Sequence, residues 1–243
     1  MNIFGLIGHP LTHSFSKQYF DKKFEQEKIY DAQFKLFDFE KIDLIKELIL
    51  LDKSIKGLAI TIPYKKQILP FLFSENEYVK QSKACNCIKI IDGKLIGFNT
   101  DIIGFEKSLI EDLKPFHQRA LVLGNGGAAA AIKFVLDKLQ IQFTCVSRKK
   151  SDGSFTFDEL NKEIIITHQI IINTTPVGTF PNSDECPNIP YQFITAQHYL
   201  FDLVYNPAQT LFMKKGLEQK AFVKNGYQML CLQAEENWKI WND

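Results

Sequence analysis

A glycine-rich turn between a strand-like and a helix-like segment is the first feature that could do chemistry. Apolar residues 120–123 lead into the turn Gly124-Asn125-Gly126-Gly127-Ala128, and apolar residues at helical spacing follow up to residue 139. Glycines let a backbone turn tightly and approach a pyrophosphate, which the N–H groups and positive end of the next helix attract. The pattern favours a dinucleotide site; a plain tight turn is the alternative.

A basic segment, Ser147-Arg148-Lys149-Lys150, follows the next predicted strand. A site for NAD usually carries Asp or Glu there to bind the ribose hydroxyls, and this segment has neither. Arg148 can fork onto a phosphate and lie flat on an adenine, while Lys149 adds a point charge. The segment therefore favours NADP over NAD, with a solvated basic loop as the alternative.

Two loops near the amino end carry polar groups just after predicted strands. Ser14 and Ser16 follow the first strand, and the segment from Thr61 to Lys65 follows a later parallel strand. Loops after parallel strands lie on one edge of a sheet, where ligands bind. Two serines that alternate in an extended loop can face one anion; alternatively, Ser16 is only the cap of the next helix.

Strand-like and helix-like segments alternate through most of the chain, which predicts an α/β fold. In the first part, the order βαβαβ is followed by two β-rich runs joined by Asp92-Gly93, a strong hairpin signal. We therefore expect a mostly parallel sheet with an antiparallel edge. The predicted strands are 1–8, 31–39, 57–61 and the two runs within 85–98, and the predicted helices are 16–28 and 40–51.

A second series predicts a Rossmann-like domain with a parallel sheet. Its strands are 119–124, 143–147, 169–174, 199–204 and 221–223, and its first helix is 128–139. A helix over 101–114, stopped by Pro115, precedes it, and a helix over 226–241 is expected to return to the first domain. We predict a substrate-binding domain at 1–101 plus 226–243 and an NADP-binding domain at 102–225.

Composition excludes several classes of protein. The 243 residues carry a net charge of +1, with 45% hydrophobic and 23% charged residues, so no basic field attracts nucleic acid. No apolar run reaches the ~18 residues of a membrane span. The five scattered cysteines predict reduced thiols in a cytoplasmic protein, and Cys85 and Cys87 lack the further ligands of a metal site. A small-molecule partner and a monomer or homodimer are expected.

Spaced motifs run from end to end of the chain. They are Gly8-x-Pro10 with His13-Ser14-x-Ser16, Thr61-x-Pro63-x-Lys65, Ala84-Cys85-Asn86, Gly97-Phe98-Asn99-Thr100-Asp101, the turn at Gly124, Ser147-Arg148, Asn173-Thr174-Thr175-Pro176-x-Gly178, Asp202-x-x-Tyr205-x-Pro207-x-x-Thr210, and Gly226 with Met229-Leu230 and Gln233-Ala234. In this order the chain resembles the shikimate dehydrogenase family. Lys17, Ala59 and Ser147 depart from the usual proline, asparagine and asparagine of that pattern.

The resemblance implies reversible, NADPH-dependent reduction of 3-dehydroshikimate to shikimate in the chorismate pathway to aromatic amino acids. It places Lys65 and Asp101 at the reacting oxygen and gives His13 a supporting role in the serine loop. The implied substrate residues are Ser14, Ser16, Thr61, Asn86, Tyr205 and Gln233. The implied cofactor residues are Gly124, Asn125, Gly126, Gly127, Ala128, Ser147, Arg148, Lys149, Asn173, Thr174, Thr175 and Gly226.

The chemistry of the residues agrees with this implication. Hydride that arrives at a ketone carbon leaves charge on the oxygen, so a proton donor is needed, and a lysine beside an aspartate can relay the proton. A salt bridge between domains is the alternative for Lys65 and Asp101. Two other functions stay open: a related quinate/shikimate dehydrogenase, and a non-catalytic NADP(H)-sensing protein.

Overall fold

A computed structural model describes residues 1–11 and 14–243. His13, the expected support of the serine loop, lies outside the described residues. The chain divides into two compact units, the first comprising Met1–Ile103 with Cys231–Asp243 and the second Gly104–Leu230. Each unit is built around one six-stranded sheet.

The first unit alternates strands and helices and then forms a hairpin. Its elements are β1 (Asn2–Gly8), α1 (Phe15–Gln26), β2 (Ala32–Asp38), α2 (Leu44–Leu51), β3 (Ile55–Ile60), β4 (Ser74–Glu75), α3 (Glu77–Ser82), β5 (Cys87–Ile91), β6 (Lys94–Phe98) and the start of α4 (Thr100–Ile110).

The sheet of the first unit has the order β2-β1-β3-β5-β6-β4. Strand β5 is antiparallel to both β3 and β6, whereas the other pairs are parallel. The expected antiparallel edge is therefore wrong in position, because the short strand β4 pairs outside β6 and leaves β5 in the interior. Asp92 and Gly93 both have positive φ, at 51° and 75°, as a tight hairpin turn requires.

Apolar side chains cover both faces of this sheet. Alternate residues of β1 divide between two clusters, with Ile3 and Ile7 packing beside α2 and Phe4 and Leu6 packing beside α1. Trp241, near the carboxyl end of the chain, stacks on Phe4 and donates from Nε1 to the carbonyl of Ile88 at 3.0 Å. The last helix therefore returns to the first unit, as predicted.

The second unit is a parallel α/β layer. Its elements after α4 are β7 (Arg119–Leu123), α5 (Gly127–Lys138), β8 (Gln142–Ser147), β9 (Phe155–Thr156), α6 (Lys162–Thr167), β10 (Ile170–Asn173), β11 (Tyr199–Asp202), α7 (Leu211–Glu218), β12 (Phe222–Asn225) and the start of α8 (Tyr227–Asn242). The strand order is β12-β11-β10-β7-β8-β9, with every pair parallel.

The central strands of the second unit are buried on both faces, which is usual for a parallel sheet covered by helices. The predicted α/β architecture with two mostly parallel sheets is confirmed. Both changes of unit fall within helices, since α4 and α8 cross the limits at residues 103 and 230. The predicted domain limits, at 101 and 226, lie next to these positions and stay a prediction.

Some element limits differ from the sequence expectations. Helix α2 begins at Leu44 rather than at residue 40, and α4 ends at Ile110, four residues before Lys114. Three short helices were not predicted, α3, α6 and α7. In α7, Gly216 interrupts the helical pattern of apolar residues. The glycine lets the helix approach β11, because a Cβ there would lie 2.6 Å from Leu200 Cδ2.

Within the described part of the chain, no helix combines the length and hydropathy needed to cross a membrane. The same residues contain no group of three or more His, Cys, Asp or Glu arranged to hold a metal ion. None of the five cysteines, all of which lie in the described residues, forms a disulfide bond.

Candidate functional site

An ion pair joins Lys65 and Asp101 at one edge of the first sheet. Lys65 Nζ lies 2.6 Å from Asp101 Oδ2, and the two side chains are 18% and 11% exposed. Strands β3 and β6 are both antiparallel to β5, so they run in the same direction. Lys65 and Asp101 follow the carboxyl ends of these two strands, which brings the residues to the same edge.

Asn86 lies between the two strand ends, because it precedes the reversed strand β5. Its backbone bonds to both neighbours, with Ile60 N donating to Asn86 O at 2.8 Å and Asn86 N donating to Phe98 O at 3.1 Å. Its side-chain Nδ2 donates to Asp101 Oδ1 at 2.9 Å. One carboxylate oxygen of Asp101 is therefore held by Asn86 and the other by Lys65.

Two residues that the sequence interpretation missed complete this buried cluster. Thr100 Oγ1 donates to Asn237 Oδ1 at 2.6 Å, and Asn237 Nδ2 donates to Gln233 Oε1 at 3.3 Å. Asn86 Nδ2 also lies 3.4 Å from Gln233 Oε1. The spacing of Gln233 and Asn237, four residues apart on one helix, was the available signal.

Ser14 is the N-cap of α1, and its Oγ accepts from Lys17 N at 3.2 Å. The alternative that Ser16 is the cap is wrong, because the helix already begins at Phe15. The picture of both serines in one extended loop is also wrong, since Ser14 is extended and Ser16 is helical. Ser14 is buried and Ser16 half-buried, so the two hydroxyls start from different backbone geometries.

The loop after β1 is fixed by Asp38. Its Oδ1 lies 2.6 Å from His9 Nδ1, and its Oδ2 accepts from Leu11 N at 3.1 Å. The Leu11 N–H, and then His9, lower the pKa of Asp38. Thr61 lies beside this loop, because a Cβ on Gly8 would lie 2.5 Å from the Thr61 methyl group.

A cleft of about 1100 Å³ lies at the carboxyl ends of β7, β8 and β10 in the second unit. It brings together eight predicted cofactor residues: Gly124, Asn125, Gly126, Ser147, Arg148, Lys149, Thr174 and Thr175. Lining residues that were not predicted include Lys150, Ser151, Phe157, Pro176, Val177 and the segment Cys186-Pro187-Asn188. Phe157 begins a short 3₁₀ helix (Phe157–Glu159) and the others lie in loops, whose path the sequence pattern does not reveal.

The glycine turn fits a bound pyrophosphate. Gly124 has a φ of +107°, and a Cβ there would lie 2.7 Å from Thr174 Oγ1. A Cβ at Gly126 or Gly127 would instead enter open space. Gly126 is the N-cap of α5 and makes no side-chain cap bond. No side chain therefore covers the N–H groups at the positive end of the helix, where an anion can bind.

The basic loop after β8 fits an added phosphate on the ribose. Arg148 and Lys149 are exposed residues of the cleft. Ser147 Oγ donates to the carbonyl of Lys149 at 2.6 Å and so shapes the loop. Lys150, in contrast, forms an ion pair with Glu159, and this bond lowers the pKa of Glu159.

Four predicted cofactor residues do not line the cleft: Gly127, Ala128, Asn173 and Gly226. The first two form the first turn of α5. A Cβ at Gly226 would overlap the carbonyl oxygen of Leu203, so glycine is required there by packing. Tyr205 is half-buried in the second unit, whereas the other five predicted substrate residues belong to the first.

Asn173 is fully buried, and its side chain serves the protein interior. Its Nδ2 donates to Asp202 Oδ1 at 2.9 Å, and its Oδ1 accepts from Thr175 Oγ1 at 2.6 Å. Thr210 Oγ1 donates to the other oxygen of Asp202 at 2.6 Å. Burial raises the pKa of Asp202 to about 6 against these stabilising bonds. The network holds Thr175 at the rim of the cleft.

Comparison with known proteins gives a consistent result over the whole chain. Residues 6–88 match the family described as shikimate dehydrogenase substrate binding domain. A shikimate dehydrogenase (NADP(+)) of Clostridium beijerinckii is 38% identical over 256 residues, covering 100% of this chain and 93% of that protein.

Solved structures agree with the sequence comparison. A chorismate mutase/shikimate 5-dehydrogenase fusion protein of Clostridium acetobutylicum is 33% identical, with a TM-score of 0.89 over 100% of this chain and 92% of its own. Shikimate dehydrogenase of Aquifex aeolicus is 30% identical, with a TM-score of 0.87 over the same shares. The chain therefore belongs to the shikimate dehydrogenase family.

Proposed function

We propose that this protein is an NADP-dependent shikimate dehydrogenase, an oxidoreductase that interconverts 3-dehydroshikimate and shikimate in the chorismate pathway. The observation that carries the proposal is the pair of Lys65 and Asp101, with Nζ and Oδ2 2.6 Å apart at an edge of the substrate-binding unit. Relatives that align with 98% to 100% of the chain bear the name shikimate dehydrogenase (NADP(+)) and support the choice of substrate and cofactor.

Lys65 is the proton donor for the ketone oxygen. The bound cofactor, NADPH, supplies a hydride to the carbonyl carbon of 3-dehydroshikimate. The negative charge left on oxygen takes a proton from the Lys65 ammonium, which gives the hydroxyl of shikimate. In the oxidation of shikimate, neutral Lys65 removes the same proton.

Asp101 keeps the lysine in place through their ion pair, in which Nζ and Oδ2 are 2.6 Å apart. Asn86, bonded to the second oxygen of Asp101, prevents that carboxylate from turning away from Lys65. The two carboxylate oxygens thus have separate tasks, and Lys65 Nζ is held with little rotational freedom.

The remaining polar residues of the first unit bind the substrate. Ser14 and Ser16 take the carboxylate, and Thr61, Asn86 and Gln233 take hydroxyl groups; Tyr205 is a further proposed substrate residue. In the cleft, the turn at Gly124 to Ala128 binds the pyrophosphate. Thr174 and Thr175 lie beside the nicotinamide. Arg148 and Lys149 bind the 2′-phosphate. Asn173 acts indirectly, because it holds Thr175 in place. Gly226 also acts indirectly, because it packs closely against the backbone of Leu203.

An absorbance assay of NADPH formation tests the proposal directly. Purified protein is mixed with shikimate and NADP⁺, with parallel reactions that contain quinate in place of shikimate or NAD⁺ in place of NADP⁺. We expect the shikimate and NADP⁺ pair to give the highest kcat/KM. Faster turnover of quinate would favour the related dehydrogenase, and NADP(H) binding without any turnover would favour a sensing protein.

We also propose a cytoplasmic location and a monomeric or homodimeric state. The five cysteines form no disulfide bond, and two of them are fully buried, which is compatible with a reducing compartment. Light scattering coupled to size-exclusion chromatography measures the mass of the particle, and a stable tetramer or larger assembly would contradict the proposed state.

A further inference from the structure

A chain of buried hydrogen bonds runs from the backbone of Thr100 to the side chain of Gln233, and one end fixes its direction. The Thr100 N–H can only donate, and it lies 2.7 Å from Asn86 Oδ1. The Asn86 oxygen therefore faces Thr100, and its NH₂ group faces the acceptor Asp101 Oδ1 at 2.9 Å. The same NH₂ group lies 3.4 Å from Gln233 Oε1. Because an NH₂ group donates, the oxygen of the Gln233 amide, which accepts, faces it.

Asn237 is oriented in the same way. Thr100 Oγ1 accepts from Asn86 Nδ2 at 3.0 Å, and its single proton goes to Asn237 Oδ1 at 2.6 Å. The NH₂ group of Asn237 then faces Gln233 Oε1 at 3.3 Å. The Asn86 NH₂ group has two protons: one goes to Asp101 Oδ1, and the other is shared between Thr100 Oγ1 at 3.0 Å and Gln233 Oε1 at 3.4 Å. Two NH₂ groups thus face the oxygen of Gln233, and Asn237 makes the shorter contact with it.

Burial makes the alternative orientation of the Gln233 amide costly. Thr100 is 0% exposed, Asn237 1%, Asn86 4% and Gln233 7%. If the Gln233 amide were turned over, its NH₂ group would face two other NH₂ groups away from water, and a buried donor that lacks an acceptor is costly. The network therefore selects one of the two orientations of Gln233.

We propose that Thr100 and Asn237 are positioning residues that present the NH₂ group of Gln233, rather than its oxygen, to the substrate. The inference rests on the proposed function, in which Gln233 contacts shikimate. The substrate atom opposite Gln233 is then a hydrogen-bond acceptor, a hydroxyl or carboxylate oxygen. Asn237 is 1% exposed and bonds to Gln233, so in this proposal it acts through Gln233.

Steady-state kinetics of Asn237→Ala and Thr100→Val test this role. Thr100→Val keeps the volume of the side chain and removes only its hydroxyl. Each variant should raise KM for shikimate about tenfold, with kcat within about threefold and KM for NADP⁺ unchanged, since a misoriented Gln233 weakens ground-state and transition-state binding alike. Thr100→Ser should recover most of the loss. The double variant should be no worse than either single one, because both act through one bond.

Asn242→Ala is the matched control on the same helix. Asn242 is exposed and donates to the carbonyl of Trp238 at 2.7 Å, so its loss should leave KM and kcat unchanged. Variants that melt at lower temperature but keep a normal KM for shikimate would overturn the positioning role. A fall in kcat with unchanged KM would overturn it as well.

A measurement without substrate separates this inference from the proposed function. In the substrate-free protein, NMR should find the side-chain amide protons of Asn86 and Asn237 in slow exchange with solvent, and Thr100→Val should speed the exchange at Asn237. Rapid exchange in the unmodified protein would overturn the network whatever the enzyme catalyses. Absence of shikimate turnover with slow amide exchange would instead defeat the proposed function alone.

Discussion

Lys65 Nζ and Asp101 Oδ2 meet at 2.6 Å because two strands run in the same direction on either side of a reversed one. Lys65 follows the first of these strands and Asp101 the second, so both lie at the edge where β5 begins. The residue immediately before β5 is Asn86, which donates to the other oxygen of Asp101. The hairpin that reverses the chain at Asp92-Gly93 thereby creates the proposed catalytic edge.

The two serines should respond differently to substitution. Ser14→Ala removes the N-cap of α1 and should lower the free energy of unfolding by about 1 kcal/mol, besides raising KM for shikimate. Ser16→Ala should raise KM with little loss of stability, because its hydroxyl does not cap the helix. Asn76→Ala, which removes the cap of α3, is the control: it should lose stability with KM unchanged. Equal KM values for all three variants would contradict carboxylate binding by the serines.

Arg148→Ala should weaken binding of NADP(H) far more than binding of NAD(H). A charge-assisted contact with the 2′-phosphate, worth about 1.5 to 3 kcal/mol, exists only for the phosphorylated cofactor. Dissociation constants from NADPH and NADH fluorescence measure the difference. The control is Arg119→Ala, the chain's other arginine, at the start of β7 and away from the turn. Similar losses for both cofactors would show that Arg148 does not read the phosphate.

Two glycines should give opposite results on replacement by alanine. A Cβ at Gly126 meets no protein atom within 4 Å, so Gly126→Ala should keep its melting temperature while KM for NADP⁺ rises about tenfold or more. Gly226→Ala should lower the melting temperature, because its Cβ overlaps the backbone of Leu203. Calorimetry and cofactor kinetics check both. A normal KM for NADP⁺ in Gly126→Ala would count against a pyrophosphate at the turn.

Asp202 should make the stability of the protein depend on pH. Burial raises its pKa from 3.8 to about 6, so folding takes up a proton between these values. Its contribution to stability is fully present below pH ~4 and is lost as pH rises through about 6, a change of about 3 kcal/mol at most. Relative to Asp202→Asn, the unmodified protein should therefore lose stability between pH 4 and pH 7.

Urea unfolding at several pH values measures this difference. Asp184→Asn, at an exposed aspartate, is the control and should show no such trend against the unmodified protein. If the unmodified protein instead gained stability over Asp202→Asn as pH rises, the hydrogen bonds from Thr210, Val204 and Asn173 would outweigh burial.

Local patterns predicted most of the fold, because they act over a few residues. The strand predicted at 1–8, the Asp92-Gly93 turn and the strand, glycine turn and helix around Gly124 all have the expected form. Helix α7 was missed because Gly216 interrupts its pattern, although close packing on Leu200 requires a glycine there. The position of β4 was missed because two residues carry no periodicity.

The residues of the candidate sites were likewise predicted only where a local pattern marks them. The loops after β7 and β8 were found because charge and glycine content are visible in a sequence. Thr100 and Asn237 were not found, since their role depends on a hydrogen bond across 137 positions. The cap at Ser14, rather than at the alternative Ser16, was not predicted, because spacing alone does not define the exact residue at which a helix begins.

The central claim is that Lys65 and Asp101 form one proton-transfer unit in shikimate oxidation by NADP⁺. The most direct measurement is kcat and KM across pH for Lys65→Met, Asp101→Asn and the double variant. We expect each single variant to lower kcat by about 10²- to 10⁴-fold with KM for shikimate largely kept, and the double variant to be little worse than either. Near-normal kcat in Lys65→Met, or fully additive losses in the double variant, would contradict the claim and leave the pair as a structural salt bridge.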